Sequence, residues 1–183
     1  MMHSSYHVGP QTYGYVRVRN EHGHTVEAKN LVVYNGGDIL AQLLAGNCQY
    51  RISHMYFGFE NTAGAPTPAP ADRSDTADSA FHSLSAPQDF VIGQTLEPAV
   101  LEAADPNHLY NRVLFHAIAN ALSGVNGLPF SAANDSKVFS LGLISSPTGA
   151  YLDDVLYAHF ILPTALPVVG SGQISASWAT EAD

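Results

Sequence analysis

The chain has 183 residues, of which 46% are hydrophobic and only 13% are charged. Sixteen acidic residues against seven Lys and Arg give a net charge of −9. No segment gathers enough bases to follow a phosphate backbone, so direct binding to nucleic acid is not expected. The length suits one well-buried domain. Because about a quarter of the residues in a soluble domain are usually charged, the low charge indicates a surface that neighbouring subunits partly cover.

The single cysteine and the N-terminal residues exclude further classes. Cys48 alone cannot form an intrachain disulfide or a multi-cysteine zinc site, and we expect it to be a small, buried or half-buried apolar residue. Residues 1–10 are polar and lack the apolar centre of a signal peptide, and no apolar run approaches the ~20 residues that span a bilayer. We therefore expect a protein that is made and kept in the cytosol, without a membrane partner.

Strand signals begin near the N-terminus. Residues 13–19 alternate apolar and polar side chains, as a half-buried strand does. Residues 20–23 have the composition of a tight turn, and Thr25–Lys29 is the expected returning strand of a hairpin. Residues 30–34 continue in β-forming residues until residues 35–37, Asn-Gly-Gly, interrupt them.

One short helix is predicted near residues 38–45. Asp38 can cap its start and Gly46 supplies its stop. Four apolar residues share one helical face, and they are Ile39, Leu40, Leu43 and Leu44.

The middle third of the chain changes character. After an apolar strand at residues 52–59, residues 61–78 are rich in Ala, Thr, Pro and Asp, which predicts an extended Pro/Asp-rich loop. The prolines at alternate positions are Pro66, Pro68 and Pro70. Eight acids and one base lie between residues 60 and 105. We expect residues 60–105 to form an acidic insert that projects as an exposed arm or lobe.

The C-terminal part again has strand patterns. Residues 109–118, 137–145 and 155–162 are predicted strands, and residues 126–127, Asn-Gly, are a strong turn signal. The final run, residues 172–180, alternates apolar residues with serines and directs the only tryptophan, Trp178, into a core. Its expected neighbours are the strands at 155–162 and 109–118.

These elements together favour a mainly β fold. Many short strands separated by Gly, Pro and Asn turns are typical of an antiparallel β-sandwich or jelly-roll-like domain. Residues 12–183 are then one β domain with the insert at about 60–105, and residues 1–11 are a flexible N-terminal arm.

Motifs of catalysis are not found in the sequence. There is no Gly-x-Ser-x-Gly elbow, no Gly-x-Gly-x-x-Gly after a strand and no phosphate-binding loop. The sequence offers no support for hydrolase, dehydrogenase or nucleotidase chemistry, and we predict no catalytic, cofactor-binding or metal-binding residues.

Four histidines are candidate metal ligands or pH sensors. His22 and His24 flank a glycine at the predicted hairpin turn, where exposed histidines are more common than a metal site. His116 and His159 each lie in a predicted strand among apolar neighbours. A buried pair that binds metal or senses pH is one interpretation. The favoured interpretation is that both are ordinary sheet histidines that bond to the backbone or face a subunit contact.

Acidic residues allow two similar alternatives. Asp153 and Asp154 could contribute to a calcium site, but their position before a strand favours a solvated turn. Glu97, Glu102 and Asp105 could supply glycosidase carboxylates, although nothing in the sequence fixes their separation.

Tyrosines suggest subunit interfaces. The chain has nine tyrosines and few charges, and both tyrosine enrichment and charge depletion are favoured at interfaces. The candidate assembly contacts are Tyr6, His7, Tyr13, Tyr15, Pro66, Pro68 and Pro70.

The order of motifs resembles that of virion proteins of tailed bacteriophages. Residues 29–46, followed by residues 52–61, are similar to their Asn-initiated strand, glycine, short Leu/Ala helix and apolar strand before a Thr/Pro/Asp-rich loop. The later segments in the same order are residues 111–118, 142–149, 156–160 and 174–178. The long insert at 60–105 departs from this pattern.

The resemblance implies a role in assembly. We expect a capsid decoration (cement) protein that binds the major capsid protein on the outer surface of the virion, assembles in the host cytoplasm and forms a dimer or trimer. A tail baseplate or tail-fibre component is the first alternative. A carbohydrate-binding or hydrolytic jelly roll is an alternative of another class.

Overall fold

The protein folds as a β-sandwich of two antiparallel sheets with five strands each, so the predicted fold class is confirmed. The computed structural model describes residues 12–60, 70–83, 88–103, 106–107, 110–120 and 135–182. The proposed N-terminal arm and the predicted turn at residues 126–127 lie outside the described residues.

The two sheets divide the strands as follows. The first sheet contains, in spatial order, β2 (Thr25–Lys29), β1 (Thr12–Asn20), β10 (Gln173–Ala182), β7 (Arg112–Asn120) and β6 (Val100–Glu102). The second sheet contains β3 (Leu31–Val32), β9 (Val155–Pro167), β8 (Lys137–Ser145), β4 (Ile52–Glu60) and β5 (Phe90–Thr95). The other described elements are the helix α1 (Tyr34–Leu44), a π-helical turn (Asp78–His82) and 3₁₀ turns at Cys48–Tyr50 and Tyr151–Asp153.

The N-terminal hairpin forms as predicted and then links the sheets. β1 and β2 pair over five residues each, and Gly23 adopts the positive φ of 82° that the turn requires. After β2 the backbone N–H of Asn30 donates to the carbonyl of Gly14 at 3.0 Å, and the next residue, Leu31, pairs with His159 in the second sheet. The chain therefore passes from one sheet to the other at Asn30.

The helix begins earlier than predicted. It starts at Tyr34, so Gly36 is helical and Asp38 lies inside the helix instead of capping it. A Cβ on Gly36 would come within 2.4 Å of the Tyr157 carbonyl oxygen, so the glycine allows the helix to approach β9 closely. The predicted stop is confirmed, since Gly46 follows the helix with a φ of 83°.

The closing strand does place Trp178 in the core, where it is fully buried. Its pairing partners are Val16 in β1 and Phe115 in β7. The prediction of β7 as a neighbour is confirmed, but the prediction of β9 is wrong because β9 belongs to the opposite sheet. The alternating pattern identifies the buried face of a strand and carries no information about which strand lies beside it.

The described part of the 60–105 insert is not a projecting lobe. β5 adds to the edge of the second sheet, where Phe90 stacks on Phe59 with ring centroids 5.0 Å apart. β6 adds to the edge of the first sheet. Burial of the apolar residues of β5 stabilises this packing more than the acidic residues of the segment disfavour it. Residues 61–69, with two of the alternate prolines, lie outside the described residues.

None of the helices in the described ranges is long and apolar enough to cross a bilayer.

Candidate functional site

The outer face of the first sheet is open. Among the described residues, no outward-facing side chain of β1, β10 or β7 is fully buried. One row across four strands contains Tyr15, Ala179, Leu114 and Val100. The small residues of the central strand β10 leave a groove of about 390 Å³ between the larger side chains of β1 and β7. This surface is available to a ligand or to another protein.

Ion pairs flank the groove. Arg17 pairs with Glu27, and Arg112 pairs with Glu181 at 2.5 Å and approaches Glu102 at 3.9 Å. Pairs as exposed as the first contribute little to stability. Each of these two guanidinium groups therefore has a carboxylate beside it, and the groove carries no concentrated charge of either sign.

The edge of this sheet presents large apolar side chains. Val100 and Leu101 in β6 are 51% and 59% exposed, and Tyr110, two residues before β7, is 71% exposed. Successive residues of a strand point to opposite faces, so neither face of β6 is covered by the described part of the chain. We call these three residues the β6 edge patch.

The outer face of the second sheet is covered instead. Residues 72–83, which we call the strap, lie across it. Ala77, Ala80 and Phe81 of the strap form a buried cluster with Ile144 and Leu156 of the sheet. The strap therefore buries an apolar surface separate from the main core between the sheets.

Glycines in the strands make room for the strap. Gly93, Tyr56, Gly142 and His159 form one row across β5, β4, β8 and β9. A Cβ on Gly142 would come within 2.4 Å of the ring of Phe81, and one on Gly93 within 2.6 Å of the ring of Tyr56. Each aromatic ring lies over a glycine, which is a common reason for glycine inside a strand.

Two histidine–carboxylate pairs hold the ends of the strap. Asp75 in the strap lies 2.6 Å from Nδ1 of His159 in β9. At the other end, His82 Nε2 lies 3.2 Å from Asp154 Oδ2 before β9, and the same oxygen accepts a hydrogen bond from the Tyr56 hydroxyl. The carboxylate of Asp154 is fully buried.

Burial changes the ionisation of two members of this network. Burial lowers the pKa of His159 below its ordinary value, and the hydrogen bond and charge of Asp75 oppose this only in part. Burial also raises the pKa of Tyr56, and its hydrogen bond to Asp154 raises it further. Tyr56 therefore remains protonated near neutral pH and donates to Asp154.

Among the predicted assembly contacts, the structure describes the side chains of Tyr15 and Pro70. Tyr15 is exposed in the open face of the first sheet, whereas Pro70 is exposed just before the strap on the second sheet. Tyr13 belongs to β1, and its side chain is outside the described set. The remaining candidates lie outside the described residues, and they are Tyr6, His7, Pro66 and Pro68.

Two expectations about single side chains are wrong, namely that Cys48 is at least half-buried and that Asp154 lies in a solvated turn. Cys48 is exposed. His116 and His159 are sheet histidines, as favoured, and they lie in different sheets, so they do not form a pair. Each contacts a carboxylate, with His116 Nδ1 3.0 Å from Glu97. Asp153 is exposed in the turn before β9, as expected, whereas the carboxylate of Asp154 is fully buried and accepts a hydrogen bond from Tyr56.

The structure also places the hairpin histidines and the candidate carboxylates near residues 97–105. His22 and His24 are both exposed at the hairpin turn, as expected. Glu97 and Glu102 lie beside basic side chains in the first sheet, and Asp105 lies outside the described residues. Within the described ranges, no group of three or more His, Cys, Asp or Glu side chains could hold a metal ion.

The strap anchors were not predicted from the sequence. Asp75 and His159 are 84 positions apart, and Tyr56 and Asp154 are 98 apart, so no local pattern joins them. The detectable signal was the pair of glycines inside apolar strands, Gly93 and Gly142, which indicates close approach of another group.

No protein-family model, curated protein or solved structure matches the chain.

Proposed function

We propose that the protein is a structural component of a tailed-bacteriophage virion, a decoration protein that binds the major capsid protein on the outside of the shell and contacts further copies of itself. The order of motifs in the sequence supports this proposal. The observation that carries it is the β6 edge patch, where Val100 and Leu101 are exposed in the edge strand and Tyr110 is exposed two residues before the neighbouring strand β7.

An edge strand with apolar side chains is a liability in an isolated subunit. Its free backbone groups can pair with another chain, and natural proteins usually protect such edges with charge or cover. Burying one exposed leucine in a contact is worth about 1.5–3 kcal/mol. Repetition of this contact over a symmetric shell would convert modest pairwise affinity into strong retention.

The first experiment locates the protein in purified particles by antibody labelling and by density at modest resolution. Density on the outer capsid surface is the expected result. Density confined to the tail would favour the baseplate or fibre alternative, and absence from particles would contradict both.

The second experiment tests the edge patch itself. We expect Leu101→Asp to reduce the occupancy of particles at least tenfold, because each 1.4 kcal/mol changes an equilibrium constant tenfold. Leu152→Asp is the matched control, since Leu152 is also strongly exposed but lies in a turn away from β6. Equal occupancy for both variants would exclude the patch as the contact.

The groove of the first sheet favours a second candidate function, carbohydrate binding. Tyr15 offers an apolar ring surface, and Arg17 and Arg112 with their carboxylate partners offer donors and acceptors for hydroxyl groups. The groove volume of about 390 Å³ lies in the range of small-ligand sites. Binding of a neutral oligosaccharide from a glycan panel, lost in Tyr15→Ala and kept in Tyr34→Ala, would support it. No binding to any member of the panel would contradict it.

A further inference from the structure

We propose that the strap, residues 72–83, is an acid-released cover. As the pH falls below neutral, its Asp75 end lifts from the second sheet while its His82 end stays attached, and the apolar surface around Ile144 and Leu156 becomes exposed. This inference rests on the covered face of the second sheet and does not depend on the proposed function.

Side chains hold most of the strap in place. Its backbone is outside the β-ladders, and Tyr34 N–H donates to the Arg73 carbonyl at 2.8 Å at its N-terminal end. Its apolar contact with the sheet is the Phe81 ring, which lies over Gly142. Along the strap, one carboxylate–histidine pair lies before this contact and the other lies after it. Release of one pair therefore frees one end of the strap without breaking a strand.

The Asp75 end is the one that acid destabilises. His159 is almost completely buried, and its Nε2 has no hydrogen-bond partner among the described residues. Protonation would turn that atom into a buried charged N–H donor without an acceptor, and such a group costs more than an unpaired neutral one. The neutral form of His159 is thus the form that fits the closed strap.

The groups that face His159 oppose each other. From the strap, Asp75 favours the protonated ring. From the end of β2, Lys29 lines the same cleft and adds a positive charge to its wall. The contacts from β3 and from Phe81 of the strap are uncharged, since Leu31 pairs with His159 and Phe81 packs edge-on against it at 5.4 Å.

The His82 end behaves differently. Its Nε2 lies 3.2 Å from the buried Asp154 Oδ2, and the same oxygen accepts a hydrogen bond from the Tyr56 hydroxyl in β4. This end of the strap is therefore joined to a carboxylate that is itself bonded to a central strand of the sheet. The asymmetry makes the His82 end the hinge.

The direction of the pH effect follows from His159. Its pKa in the folded protein is below the ordinary value of 6.5. The stabilisation from the neutral ring is therefore fully present above pH 6.5 and is lost as the pH falls toward the folded pKa. The strap should be closed at pH 7.5 and increasingly open in mild acid.

The test places a thiol under the strap. Ala77 is buried there, so the reporter is Ala77→Cys in a Cys48→Ser background. Its rate of maleimide labelling is divided by that of the exposed Cys48 in the unmodified protein at the same pH, which removes the intrinsic pH dependence of thiol reactivity. We expect this ratio to rise severalfold, and by no more than about tenfold, between pH 7.5 and pH 5.5 because one histidine titrates. Trp178 fluorescence should stay unchanged because that residue reports the main core.

Substitutions identify the titrating group. His159→Asn keeps a side-chain donor near the position of Nδ1 and cannot titrate, so the rise in labelling should disappear, whereas His22→Asn in the distant hairpin should leave it unchanged. Asp75→Ala removes the acceptor for His159 Nδ1 and should give fast labelling at both pH values with an intact core. The proposal is overturned by a constant ratio in the reporter protein without further substitutions, by an equal rise in His159→Asn, by slow labelling in Asp75→Ala, or by a simultaneous change in Trp178 emission.

Discussion

The two outer faces of the sandwich differ in whether the described part of the chain covers them. Each sheet has one face in the common core and one face outside. The second sheet covers its outer face with residues of its own chain, and Phe81 fills the space over Gly142. The first sheet leaves its outer face open and carries exposed Tyr15 and the β6 edge patch. The difference indicates that the covered face contributes to stability, whereas the open face is available for contacts with partners.

The largest expected effect comes from removing the ring that covers the second sheet. Phe81→Ala should reduce the free energy of unfolding by about 3 kcal/mol, within the range for buried phenylalanines. Tyr15→Ala on the open face should change it by less than about 0.5 kcal/mol, as is usual for surface substitutions. Urea denaturation followed by Trp178 fluorescence measures both values. Similar losses for the two variants would mean that the faces do not differ in this way.

The next effect tests the space beneath that ring. Gly142→Ala should lower the free energy of unfolding by about 1–3 kcal/mol because the added methyl group overlaps the Phe81 ring. Gly37→Ala is the control, since a Cβ at Gly37 meets nothing within 4 Å and the position is helical. That change should be neutral or slightly stabilising. Thermal denaturation would reveal a loss for Gly37→Ala or none for Gly142→Ala, and either result would contradict the packing described.

A smaller effect tests the buried carboxylate. Tyr56→Phe removes the hydroxyl that donates to Asp154 and should cost about 1–2 kcal/mol, because the buried carboxylate then loses one of its hydrogen-bond partners and keeps only His82 among the described residues. Tyr34→Phe is the matched control, since Tyr34 is largely exposed. Chemical denaturation at pH 7 compares them. Equal stability of the two variants would show that the Tyr56 hydroxyl contributes nothing to the closed strap.

Local patterns predicted the strands well and the strap poorly. The alternation in β1, β2 and β10 and the Gly23 turn depend on neighbouring residues, which the sequence displays directly. The helix start was misplaced because Gly36 serves a contact with β9, more than 100 positions away, instead of breaking the helix. The pairing of Asp75 with His159 depends on how the strap crosses the sheet. Such long-range contacts leave little trace in composition or spacing.

The position of β10 also determines when the protein can fold during synthesis. β10 pairs with β1 on one side and β7 on the other, so the N-terminal hairpin acquires its inner neighbour only after Gln173–Ala182 has left the ribosome. Contacts this distant along the chain are expected to form slowly. Until then the inner edge of β1 is unpaired, and unpaired strand edges are prone to aggregation in folding intermediates. The first sheet is thus completed by a strand that leaves the ribosome long after the hairpin it joins.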